Sequence, residues 1–234
     1  MRETPAGWSL QAASGSPSDE APYDAVLFAV PAYRIAELHL ETRTALSLAP
    51  LAEIRYPPVT SVVLGFRRND VEHPLDGFGM LVPQIEGFSI LGTIFSSSLF
   101  PRRAPLGHVT LTSYVGGTRA PDLASRSGDE LVDITLRDLR RILGVRGQPT
   151  FRHQVFYPKA IPQYEVGYGR FKDLMAQAEV KAPGLFFAGH YRDGISLGDS
   201  IASAHDVAER IARHLGSREH RLDAPAPNEV TTSP

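Results

Sequence analysis

Residues 184–203 read GLFFAGHYRDGISLGDSIAS. An apolar run, a glycine-punctuated loop and a helix start follow one another, which predicts a strand–turn–helix junction. Beyond it Ile201, Ala204, Ala208, Ile211 and Leu215 recur on one helical face. The first N–H groups of such a helix have no partner inside it, and its dipole adds partial positive charge there. Gly194, Ser196 and Gly198 are small enough for a flat ligand to approach the backbone. A reduced flavin, anionic around N1 and O2, suits this junction; so does a βα turn with no ligand at all.

Working outward, residues 25–30 (AVLFAV) are apolar on both faces and predict a buried strand ending at Pro31, with a helix from there to about 39 and another helical stretch over 43–55. The middle differs. Segments 60–66, 79–83, 89–96 and 108–115 read as strands separated by short turns, which predicts antiparallel pairing. Ser127 and Glu130 form a capping box ahead of an apolar stripe through Leu131, Ile134, Leu139 and Ile142, with Gly144 as the stop. A strand at 151–156 and a helix at 170–180 lead to the opening segment. Before residue 21, Trp8 to Gln11 suit a strand and 14–20 a polar loop.

The 234 residues are 42% hydrophobic and 21% charged, the balance of a folded chain with a real core. A net charge of −2 gives no basic excess to neutralise phosphates, so no nucleic acid is expected. The absence of cysteine excludes disulfides, thiolate metal sites and a cysteinyl-linked cofactor. Eight scattered histidines show no metal-ligand spacing, and no metal is expected. Gly194, Ser196 and Gly198 match the nucleophile-elbow pattern in form, but residues 189–193 separate strand from serine, and Asp206 and His214 lie on the helix itself. The pairs Arg67–Arg68 and Arg102–Arg103 suit either a carboxylate ligand or solvated turns. No dinucleotide fingerprint occurs; Gly167 and Gly169 begin one, but Lys172 stands at its third glycine.

Four segments together resemble the protoporphyrinogen oxidase family of amine-oxidase-like flavoproteins. They are residues 23–31 (YDAVLFAVP), 77–83 (GFGMLVP), 160–164 (AIPQY, with Gly167) and 184–203. The resemblance implies FAD as cofactor. It implies oxidation of protoporphyrinogen IX or coproporphyrinogen III in haem biosynthesis, with O2 reoxidising the flavin. It places Ala29, Val30, Pro31, Tyr157, Gly189, His190, Gly194, Ile195, Ser196 and Leu197 at the cofactor, and Phe78, Gly79, Leu81 and Tyr114 around the porphyrinogen. No acid or base is assigned a catalytic role. Asp199 and Ser200 depart from the small residues usual there, and Tyr114 from an apolar one.

The expected fold class is α+β. Residues 1–56 and 156–216 supply α/β segments of an FAD domain, 57–155 form an antiparallel substrate-binding sheet with one covering helix, and 217–234 a disordered tail. Family members are about twice as long and carry the dinucleotide fingerprint in their first half. The resemblance therefore implies a C-terminal portion of an incomplete FAD-binding fold without the N-terminal Rossmann unit, holding FAD weakly when alone. Two alternatives stay open: a non-catalytic fragment or subunit that needs a separate N-terminal flavin-binding half, and another flavoprotein such as an amine oxidase or carotenoid desaturase. A cytoplasmic location is expected, with peripheral contact at the inner membrane left open.

Overall fold

The computed structural model describes residues 1–11 and 21–222; the loop expected at 14–20 and residues 223–234 lie outside them. The chain forms two compact units, Met1–Arg55 with Pro162–Pro234, and Tyr56–Ile161. In chain order the elements are β1 (Arg2–Thr4), β2 (Gly7–Ser9), β3 (Val26–Phe28), α1 (Ala32–Ile35), β4 (Val59–Arg67), β5 (Gly79–Leu81), β6 (Ile90–Ile94), α2 (Ser96–Leu99), β7 (His108–Gly116), α3 (Pro121–Ala124), α4 (Gly128–Leu143), β8 (Phe151–Tyr157), α5 (Gly169–Lys181), β9 (Leu185–Phe187) and α6 (Leu197–Leu222).

The middle unit is an antiparallel sheet in the order β5-β6-β7-β4-β8. Strand alternation sorts its side chains. Val62, Leu64 and Phe66 of β4, with Val109, Leu111 and Val115 of β7, are buried in one cluster with Leu131, Val132, Leu136, Leu139 and Leu143 of α4. Ser127 and Glu130 cap α4 reciprocally, and Gly144 ends it. Its buried stripe runs through Val132, Leu136 and Leu143 besides Leu131 and Leu139; the expected Ile134 and Ile142 sit at its margins. The buried Asp138 carboxylate accepts N–H groups of Ser89 and Ile90 at 2.7 and 3.0 Å, tying α4 to the start of β6. The unit ends at Ile161, six residues beyond the expected break at 155.

In the other unit β3 and β9 pair in parallel, Val26 to Leu185 and Phe28 to Phe187. Trp8, Phe28, Phe171, Met175 and Phe187 are buried in this unit, and Trp8 Nε1 donates to the Pro183 carbonyl at 3.3 Å. Three expectations need correction. The helix after Pro31 spans only Ala32–Ile35. The helical stretch at 43–55 reduces to a 3-10 turn at Ala49–Glu53: Thr42 Oγ1 donates to the Thr44 carbonyl and Thr44 Oγ1 to that of Lys181, side-chain bonds that compete with helix formation. The final helix passes Gly216 and continues to Leu222. One glycine costs a helix only about 1 kcal/mol, too little to stop α6, so the expected tail at 217–234 begins with helix. No helix among the described residues is long and apolar enough to cross a membrane.

Replacing Asp138 with Ala strands the buried Ile90 N–H and the partly buried Ser89 N–H. A loss of about 3 kcal/mol is expected in urea unfolding, with Asp138→Asn recovering part of it.

Candidate functional site

Parallel pairing brings the C-terminal ends of β3 and β9 to one edge, where ligands of open α/β sheets bind. Ala29, Val30 and Pro31 leave β3 there, and Gly189 and His190 leave β9. The Ala188 N–H donates to the Phe28 carbonyl at 3.1 Å, and the buried Tyr191 hydroxyl donates to the same oxygen at 2.6 Å. The following turn is braced from α5 and the segment before it. Tyr168 Oη donates to the Tyr191 carbonyl at 2.5 Å. Tyr164 Oη donates to the His190 carbonyl at 2.7 Å and accepts the Gly194 N–H at 3.0 Å. Burial pushes the Tyr164 phenol up, which keeps it a donor. Burial pulls the half-buried His190 imidazole down, favouring its neutral form.

Glu179 of α5 is the anchor of this region. Its side chain is 12% exposed and pairs with Arg192 of the turn at 2.5 Å and with Arg210 of α6. It also accepts the Phe187 N–H at 3.1 Å. Burial alone would lower the Arg192 pKa, but the hydrogen bond and charge of Glu179 more than offset it and hold the guanidinium above its ordinary value. Asp193 accepts the Ser203 hydroxyl at 2.7 Å, a second tie to α6.

The helix start is closed by its own side chains. Ser196 Oγ accepts the Asp199 N–H at 3.0 Å, and the Asp199 carboxylate accepts the Ser196 N–H at 3.2 Å, a reciprocal cap. Asp199 thus has a local structural role. Gly194 is at φ +130, and a Cβ there would lie 2.5 Å from the Asp199 carboxylate. The N–H groups of Gly194 and Ser196 are spent on Tyr164 and Asp199, whereas among the described residues those of Ile195, Leu197 and Gly198 donate to no chain acceptor. Gly198 was not among the expected cofactor residues. The side chains of Ile195 and Leu197 are 48% and 79% exposed. Free donors beside exposed apolar side chains fit a flat ring with a polar edge.

The middle unit holds a cavity of about 760 Å³, within the usual range for small-molecule sites. It lies on the sheet face opposite α4. Phe78, Gly79, Leu81 and Tyr114, the expected substrate residues, all line it, with Ser61 and Ile94. Phe78 and Leu81 are 68% and 90% exposed. Gly79 allows the close strand approach here, since a Cβ would lie 2.3 Å from the Thr93 carbonyl oxygen. Tyr157, expected at the cofactor, lines this same cavity; the pairing of Val59 with Tyr157 places it on that face. No ionisable side chain lines the cavity apart from the two tyrosine phenols. No group of three or more His, Asp or Glu able to hold a metal occurs among the described residues.

Residues 5–212 match the family described as flavin containing amine oxidoreductase. The chain belongs to that family, and the flavin expected from the sequence is the family's cofactor. Among curated relatives, the mitochondrial protoporphyrinogen oxidase of Nicotiana tabacum is 37% identical over 216 residues, covering 90% of this chain and 43% of the relative. Protoporphyrinogen oxidase 2 of Arabidopsis thaliana is 36% identical over 90% of this chain and 42% of its own. Coproporphyrinogen III oxidase of Bacillus subtilis is 26% identical over 66% of this chain and 33% of its own. The chain thus spans less than half the length of these relatives. Among solved structures, cyclohexylamine oxidase of Brevibacterium oxydans IH-35A superposes with a TM-score of 0.64 at 14% identity, over 92% of this chain and 47% of that one. An Exiguobacterium sp. 255-15 protein provisionally assigned as a protoporphyrinogen oxidase gives 0.72 at 23% identity, over 92% and 46%. These structures establish a shared fold.

Glu179→Ala is expected to cost about 3 kcal/mol in global stability, because it leaves the largely buried Arg192 guanidinium and the half-buried Arg210 without their shared carboxylate. His190 makes the stability pH-dependent. Its lowered pKa contributes stability that is full above the ordinary imidazole value of about 6.5 and is lost as pH falls through the folded value. His190→Gln should flatten that acid limb of a thermal-melting profile.

Proposed function

We propose that the chain is the substrate-walling and flavin-contacting portion of an FAD-dependent porphyrinogen oxidase of haem biosynthesis, acting on protoporphyrinogen IX or coproporphyrinogen III with O2 as final acceptor. The cavity under Phe78, Leu81, Tyr114 and Tyr157 carries this reading: it is wide, aromatic and uncharged, suited to a flat macrocycle. When bound, a flavin supplies the hydride acceptor for such a dehydrogenation. The chain's own work is positional. The aromatic and aliphatic walls orient the ring and exclude water. The N–H groups of Ile195, Leu197 and Gly198 would meet the polar edge of the cofactor, and Ala29, Val30, Pro31, Gly189 and His190 its linker.

Two other readings have an observation each. Phenol faces also attract cations, so the tyrosine-lined cavity admits an amine. The exposed apolar side chains Leu27, Val30, Leu197 and Ile201 favour action docked to a separate flavin-binding half.

The test is to supply the chain with FAD, alone and together with a flavin-binding half produced separately. Protoporphyrinogen, coproporphyrinogen and an amine are then offered in turn. Porphyrin fluorescence should grow with a porphyrinogen. Ser61→Trp, which fills the cavity from a strand position, should reduce it about a hundredfold with circular dichroism unchanged. Amine turnover with both porphyrinogens untouched would exclude the porphyrinogen reading.

A further inference from the structure

The sheet face that carries the aromatic cavity extends beyond it. Strand register places the side chains of that face in cross-strand rows. Leu81, Gly92, Tyr114, Ser61 and Val155 form one row. Gly79, Ile94, Thr112, Val63 and His153 form the next. Thr110, Gly65 and Phe151 follow, then His108 and Arg67. Each row is two residues further along the strands, so the three steps span about 20 Å. Over that distance the chemistry passes from aromatic, through hydroxyl, to cationic.

A second cavity of about 540 Å³ opens over the later rows. Val63, Thr110 and Thr112 line it, with Ser96, Arg103 and His108, and no lining side chain is acidic. The segment after β6 is laced across it. The hydroxyls of Ser96 and Thr112 are 2.7 Å apart. Thr110 donates its N–H to Ser97 Oγ at 3.0 Å and its hydroxyl to the Arg103 carbonyl at 2.9 Å. The adjoining Arg102 has φ 70, a left-handed conformation that a non-glycine residue adopts at a cost and that recurs at ligand clamps. The Arg103 guanidinium stands 5.4 Å from the Phe100 ring centroid, and among the described residues it forms no ion pair. His108 Nδ1 lies 3.2 Å from the Leu106 carbonyl, leaving Nε2 for another partner.

We propose that this second cavity is a carboxylate subsite, in which Arg103, with His108 and the hydroxyls of Ser96 and Thr112, takes an acidic arm of a flat amphipathic ligand whose ring lies in the adjoining aromatic cavity. The inference rests on the porphyrinogen reading, and porphyrinogens carry propionate arms of the required kind. The aromatic cavity by itself offers those arms no cation. A guanidinium answers a carboxylate with two parallel hydrogen bonds.

The test titrates the chain with protoporphyrin IX and with its dimethyl ester, a pair equal in ring and different in charge, following porphyrin fluorescence. The free acid should bind about tenfold more tightly than the ester at low salt, and salt should shrink the difference. Arg103→Ala should remove most of that preference while ester binding holds, and Arg103→Lys should keep part of it. The side chain is exposed, so folding is not at issue, and circular dichroism checks this. Equal affinity for acid and ester would overturn the subsite and leave the aromatic cavity standing. So would Arg103→Ala weakening both alike, or the preference disappearing in Arg67→Ala and surviving in Arg103→Ala. Free-acid binding that survives Ser61→Trp but not Arg103→Ala would show an anion site unrelated to the ring cavity, and would also overturn it. Failure of both porphyrins to bind would remove the porphyrinogen reading and the subsite together.

Discussion

The pairing register of β4 governs the middle unit. The strand is bonded on both sides, to β7 along its whole length and to β8 from Val59 to Gly65. Alternation then commits Val62, Leu64 and Phe66 to the helix-covered core and Val59, Ser61, Val63 and Gly65 to the open face. A slip of one residue would exchange the two sets and bury Ser61 where Val62 now packs. The core thus fixes the open face, and with it the position of every side chain that a ligand there would meet. Asp138 holds α4 against the same sheet two strands away, because it bonds the backbone at the start of β6.

The turn after β9 is held differently. Apart from the buried Tyr191 ring, residues 189–196 are fixed mainly by polar bonds. Three tyrosine hydroxyls, one carboxylate and a reciprocal helix cap hold the backbone. The bonds of Gly194 and Ser196 use N–H groups at the turn's outer edge. What remains outward is a short set of N–H donors and two apolar side chains. Such preorganisation spares a ligand the cost of ordering the loop.

Much of this was legible in the sequence because it depends on short-range rules. The Ser127–Glu130 cap, the alternating strands and the 3.6-residue stripe of α6 are local patterns, and they placed the sheet and its covering helix. The stretch at 43–55 departs from helix where Thr42 turns back on Thr44 and Thr44 bonds a residue of α5 that no local window contains. That Tyr157 also lines the cavity was not legible for a related reason. Its place follows from its register with Val59 across a sheet, which linear spacing does not encode. Glu179 was invisible as an anchor, since on the sequence it is one acidic residue on a helix among others. The Ser196–Asp199 cap is local and follows from their three-residue spacing at the helix start.

Glu179, Arg192 and Arg210 come from a helix, a turn and another helix, with separations of 13 and 31 residues. One carboxylate serves both cations, so losing the acid strands two bases at once, whereas either base can change while the other still answers Glu179. In the history of such chains the acid is therefore the position least free to drift, and lineages that abandon it should be those whose bases have gone first.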